Sequence, residues 1–163
     1  MTIEHHKKDH EGYLLIIGAS MEPERYSNKV FKLALKQGYS VLGVHPKGGN
    51  IDGHELFTNL GDVMHFIAGG TAAETTSNAV SSATSTTTSG NQVRRTAIDT
   101  ISLYVRSAIA LTMIDDFTKL VPKPRRIILN PGADAPEVAD VLSRKGFNVV
   151  TACTLVLLHT GQY

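Results

Sequence analysis

A single cysteine, Cys153, in 163 residues excludes an intrachain disulfide framework and a multi-cysteine zinc site, and it suits a reducing compartment. Long apolar runs are missing too, since none approaches the ~20 residues of a membrane-spanning helix. Nor is there an excess of either charge: 16 Lys and Arg against 15 Asp and Glu leave a formal net charge of +1. No overall basic field argues for nucleic acid, and no acidic excess argues for a solvating tail. The first twelve residues, MTIEHHKKDHEG, form a polar, acid-bearing tail with neither a secretory apolar region nor an Arg-rich transit pattern. These absences lead us to expect a soluble, cytoplasmic protein that binds neither membrane nor nucleic acid, with one compact domain over residues 13–163.

What is present is an alternation of short apolar runs with longer amphipathic stretches, the pattern of parallel strands joined by crossover helices. YLLIIG (13–18), SVLGVHP (40–46), TISLYVRS (100–107), RRIILNPGA (125–133) and NVVTAC (148–153) read as five strands. SNKVFKLALKQGY (27–39) puts Val30, Phe31, Ala34 and Leu35 on one helical face, with Ser27 or Asn28 as N-cap and Gly38 as stop. AIALTMIDDFTKLVP reads as a helix ended by Pro122, and PEVADVLSRKGF as one running from Pro136 to Gly146. KGGNIDGHELFTNLGDV reads as loop with a short helix ahead of Met64, and TLVLLHTGQY as a last strand or a C-terminal packing segment. Ala68 to Gln92 is about half Ser and Thr with no apolar period, so a loosely ordered insertion is expected over about residues 68–97. The fold expected is α/β: a doubly wound, mainly parallel sheet of five or six strands with helices on both faces. Its ligand crevice would lie at the carboxyl ends of the strands.

Four turns should then carry the chemistry: GASMEP, HPKGG, VRS and NPGAD. The first has one glycine where the dinucleotide fingerprint G-x-G-x-x-G has three, yet its backbone N–H groups and Ser20 can still serve a phosphate. The second places His45, Pro46 and Lys47 where NAD enzymes usually set an acid for the ribose 2′-hydroxyl. A cation there suits a ribose that carries a phosphate, as in NADP or coenzyme A. Lys29 and Arg25 add charge near the first helix.

IIGASMEPERYSNKVFKLALKQGYSVLGVHPK, ISLYVRS and RRIILNPGADAPEVADVLSRKGFNVV, taken in this order, resemble the small single-domain CoA-binding protein family. That family is similar to the nucleotide-binding domain of the succinyl-CoA synthetase alpha subunit. The resemblance implies a Rossmann-like domain with Gly18, Ala19, Ser20 and Pro23 as the phosphate-side loop, and Ser27 and Lys29 near the start of the next helix. His45, Pro46 and Lys47 match the V-N-P close of strand two, at the adenosine end, with His45 in place of the usual Asn. Val105, Arg106 and Ser107 match the turn beside the pantetheine path, where a proline-containing segment is common. Asn130, Pro131 and Gly132 match the turn after strand four, where a Gln is common. CoA or an acyl-CoA is the implied ligand.

No catalytic set accompanies these turns: there is no Ser-His-Asp ordering, no G-x-S-x-G elbow and no P-loop lysine. Nor does the chain carry the ATP-grasp portion with which the related synthetases ligate CoA. His5, His6, His10, His54, His65 and His159 are scattered without metal-ligand spacing. Adjacent Asp115 and Asp116 point in different directions on a helix. Cys153 reads as a buried small hydrophobe near a strand end. The expectation is a CoA-binding module rather than an enzyme. The alternatives are an NADP-dependent oxidoreductase, or an interaction protein that keeps the fold without a ligand.

Overall fold

A computed structural model describes residues 12–69 and 96–163. The expected polar tail and Ser/Thr-rich insertion lie almost wholly outside them. Strand β1 (Tyr13–Ile17) has all five residues buried, because it is covered on both faces and its continuous apolar run serves two cores. Tyr13, Leu15 and Ile17 enter one core, Leu14 and Ile16 the other. Around it lie β2 (Val41–Val44), β5 (Ile98–Leu103), β6 (Arg126–Leu129) and β7 (Val149–Thr151) in the order β2-β1-β5-β6-β7. Every neighbouring pair is parallel.

Helices α1 (Tyr26–Lys36) and α5 (Thr154–Thr160) contribute Val30, Phe31, Ala34 and Leu158 to the core on one face. The other face is covered by α2 (Leu60–Ile67), α3 (Ser107–Phe117) and α4 (Pro136–Arg144), through residues such as Val63, Phe117 and Leu142. Gly43 makes this packing possible on the α1 side. A Cβ there would stand 2.6 Å from Leu56 and 3.0 Å from Phe31, so only glycine lets both side chains reach β2.

One alternative is decided and two expectations are corrected. TLVLLHT is the C-terminal packing segment and is helical: Gly161, at φ 68°, closes α5, and the described sheet has five strands. The N-cap of α1 is Arg25 with no side-chain cap bond, while Ser27 and Asn28 are buried within the helix. The segment after β2 forms a hairpin of β3 (Asn50–Ile51) and β4 (His54–Glu55) before α2, and α2 includes Met64. Ile51 joins the α1 core, and Lys32 reaches Asp52 of the hairpin turn at 3.1 Å.

At the amino-terminal end of the sheet Tyr163 is buried between Tyr39, with ring centroids 4.9 Å apart, and the Arg126 guanidinium, 4.7 Å from its ring. Burial is the main cause that pushes its hydroxyl up to about 12 from an unfolded value near 10. The folded state thus favours the neutral phenol. That stability is intact below pH ~10 and is lost as pH rises through the folded pKa. Urea midpoints measured from pH 9 upward should fall more steeply for wild type than for Tyr163→Phe. Parallel slopes would refute this role.

Candidate functional site

In a sheet of this order the chain reverses direction of winding between β1 and β5, so the crevice opens above their carboxyl ends. Four turns border it: residues 18–25, 45–49, 104–106 and 130–135. Gly18 is forced by the geometry. It has φ 87°, and a Cβ would lie 2.9 Å from Val105 Cγ1 and 3.1 Å from the Tyr104 carbonyl. The first and third turns therefore touch through a position with room for hydrogen alone. The first and second meet where Met21 lies over Gly49, a Cβ on which would collide with the Met21 sulfur.

The backbone N–H groups expected to face a phosphate are differently engaged. Those of Gly18 and Ala19 both donate to the Val44 carbonyl, at 3.0 and 3.1 Å, and Ala19 is fully buried. The Ser20 N–H donates to Ser27 Oγ at 3.2 Å, and Asn28 Nδ2 donates to the Ser20 carbonyl at 2.7 Å. Ser27 and Asn28 thus pin the turn from below. Asn28 Oδ1 is buried with no partner among the described residues. Donors left for an anion include the Ser20 hydroxyl, whose oxygen accepts from Glu22 N–H at 3.2 Å, and the N–H of exposed Tyr26 at the helix start, which meets no acceptor among the described residues. A helix start of this kind favours negative charge. Pro23 is exposed at the turn's tip.

Cations surround this start. Lys29 lies 3.6 Å from Glu24. Lys47 and Arg106 are exposed, and the described residues offer neither an ion-pair partner. The His45 N–H donates to the Phe57 carbonyl at 2.9 Å, and its carbonyl accepts from Gly48 at 2.8 Å. Its ring Nδ1 accepts from the Lys47 N–H at 3.2 Å. Pro46 is exposed between them. Arg106 is the N-cap of α3, and Val105 is half-buried against Gly18.

Asn130 does not present its amide to the crevice. It is fully buried; Nδ2 donates to Ser102 Oγ at 2.8 Å and to the Leu103 carbonyl at 3.0 Å. Its Oδ1 accepts from the Thr154 N–H at 2.8 Å, capping α5 in place of Cys153, which makes no side-chain cap bond. Pro131 and Gly132 are exposed, and Gly132 N–H is held by Asp134 Oδ1 at 3.0 Å. Sequence reasoning missed the polar cluster around this amide. The Ser102 and Thr154 hydroxyls bond each other at 2.8 Å. The Tyr104 hydroxyl is buried beside them with no hydrogen bond of good geometry among the described residues; burial first, then Cys153, pushes its pKa up, against the opposing pull of the Thr154 and Ser102 hydroxyls. The period-2 spacing of Ser102 and Tyr104 in strand β5 and the turn after it is the one sequence signal that groups them. Among the described residues no three His, Cys, Asp or Glu side chains gather as a metal site, and no helix is long and apolar enough to cross a membrane.

The sequence matches the model of the CoA binding domain family over residues 13–90 and 85–159. A solved structure of an uncharacterized protein aligns with TM-score 0.64 at 24% identity, covering 93% of this chain and 98% of that one. A Thermus thermophilus protein aligns with TM-score 0.63 at 19% identity over 93% and 90% of the two chains. A conserved hypothetical protein from Pyrococcus furiosus gives 0.59 at 18% over 89% and 97%. At these identities the likeness concerns the fold. None of the curated proteins matches the chain.

Proposed function

Because this chain belongs to the CoA binding domain family, we propose that it binds coenzyme A, free or as an acyl thioester, in the crevice above β1 and β5 and carries out no reaction on it alone. The observation that carries this reading is the pair of exposed cations, Lys47 and Arg106, which have no ion-pair partner among the described residues, on the turns after the two strands that flank β1. CoA is a polyanion with a diphosphate and a separate ribose 3′-phosphate. The free N–H of Tyr26 with the Ser20 hydroxyl suits the diphosphate, Lys47 suits the 3′-phosphate, and Arg106 lies beside the pantetheine path. Lys29, paired with Glu24, has a smaller part. The Asn130 amide acts from beneath by holding its turn, and Pro131 and Gly132 form the exposed wall there.

Calorimetric titration with CoA, dephospho-CoA, NADPH and NADH separates the possibilities. CoA should bind more tightly than dephospho-CoA. Lys47→Ala should weaken CoA about tenfold, the scale of one charge-assisted contact, and leave dephospho-CoA nearly unchanged. Equal affinity for CoA and dephospho-CoA removes Lys47 from the phosphate. Binding of NADPH alone transfers the site to the oxidoreductase reading, and no response to any of the four favours an interaction protein.

A further inference from the structure

His45 stands where the CoA-binding resemblance has Asn, and its hydrogen bonds explain how the exchange is accommodated. An Asn side chain at the head of such a turn accepts the N–H two residues on. Here His45 Nδ1 receives the Lys47 N–H at 3.2 Å, so the ring supplies the same acceptor at the same place. As an acceptor Nδ1 carries no proton, which puts the proton of the neutral ring on Nε2. Two bonds close the turn that carries Lys47: the Gly48 N–H donates to the His45 carbonyl at 2.8 Å, and the ring adds the bond on the Lys47 N–H itself. Gly48 and Gly49, which follow, have φ 64° and 129° and give the main chain unusual freedom, while Pro46 fixes only its own φ.

We infer that His45 is a positioning residue that sets ligand choice through Lys47: its Nδ1 holds the Lys47 main chain so that the ammonium is presented to the ribose 3′-phosphate, and His45 itself makes no contact with the ligand. The inference rests on the CoA reading and refines it. The His45 main chain is anchored separately, by Phe57 and Gly48. Removing the ring therefore leaves the strand end and the Gly48 bond in place and takes away the one side-chain bond on the Lys47 N–H.

The measurement is the ratio of affinities for CoA and dephospho-CoA, taken for wild type, His45→Ala, His45→Asn and Lys47→Ala. A global loss of fold weakens both ligands and leaves their ratio alone. His45→Ala should lower the ratio about fivefold, the effect of one net hydrogen bond, and His45→Asn should restore it to within about twofold of wild type. A ratio unchanged in His45→Ala, or lowered equally in His45→Asn, overturns the inference and leaves the CoA reading intact. A wild type that binds no CoA, or does not prefer it to dephospho-CoA, defeats the CoA reading itself and this inference with it.

Discussion

Asn130→Ala is expected to destabilise the protein by about 3–4 kcal/mol, from the loss of buried hydrogen bonds and the desolvation of the groups left behind. The amide ties three elements at once: β5 through Ser102 and Leu103, β6 on which it follows, and α5 through Thr154. In the alanine variant the Leu103 carbonyl loses its side-chain donor, and the Thr154 N–H is buried without an acceptor. Ser102 and Thr154 keep only each other. In a domain of this size that corresponds to a fall in melting temperature of roughly 10 °C. Asn130→Asp has the same shape but cannot, when ionised, donate to Ser102 or Leu103, so it should be at least as harmful. Thermal and urea unfolding decide the matter. A loss below about 1 kcal/mol in Asn130→Ala would show that this network does not hold the strand ends together.

Among the described residues the parallel strands and helices α1, α3 and α4 were legible in sequence from the alternation of apolar runs with amphipathic stretches, while α2 was read only as a short helix ahead of Met64. The C-terminal helix was not legible. TLVLLHT is a short apolar run that fits strand or helix equally. The group that settles it, Asn130 Oδ1 on the Thr154 N–H, is 24 residues away and lies in another turn. The same non-locality explains the N-cap of α1. Ser27 and Asn28 have the right chemistry for a cap, but Ser20 folds back over the helix start and claims both side chains. The chain then begins its helix at Tyr26 with no cap bond.

For the site, the four turns could be read from where apolar runs meet Gly or Pro. What each polar group does there could not. Strand β2 stops pairing at Val44, whose carbonyl then takes the N–H groups of both Gly18 and Ala19. This removes from any ligand the two donors that a Gly-Ala-Ser turn offers when read from sequence. Lys47 and Arg106 remain available for the opposite reason, since no acidic side chain among the described residues pairs with either. An unpaired cation is a property of the folded neighbourhood, which no residue type announces.

Gly18→Ala should combine a stability loss of about 2–4 kcal/mol with a loss of CoA binding of at least tenfold, and Gly38→Ala separates the two causes. Gly38 has φ 85°, nearly that of Gly18 at 87°, but a Cβ added at Gly38 meets nothing within 4 Å. Its variant therefore reports the conformational penalty alone, about 1 kcal/mol, partly offset by the reduced freedom of the unfolded chain. At Gly18 the same penalty is joined by contact with Val105 Cγ1 at 2.9 Å and the Tyr104 carbonyl group at 3.1 Å. Neither neighbour can easily retreat, because the Tyr104 N–H is bonded to the Ile17 carbonyl at 2.9 Å. The first and third turns must then part, displacing the start of α1 from Arg106. Val105→Ala in the Gly18→Ala background removes the nearest atom, so it should recover part of the stability and part of the binding together. Equal losses in Gly18→Ala and Gly38→Ala, with CoA affinity unchanged, would mean that close approach of these turns plays no part in forming the site.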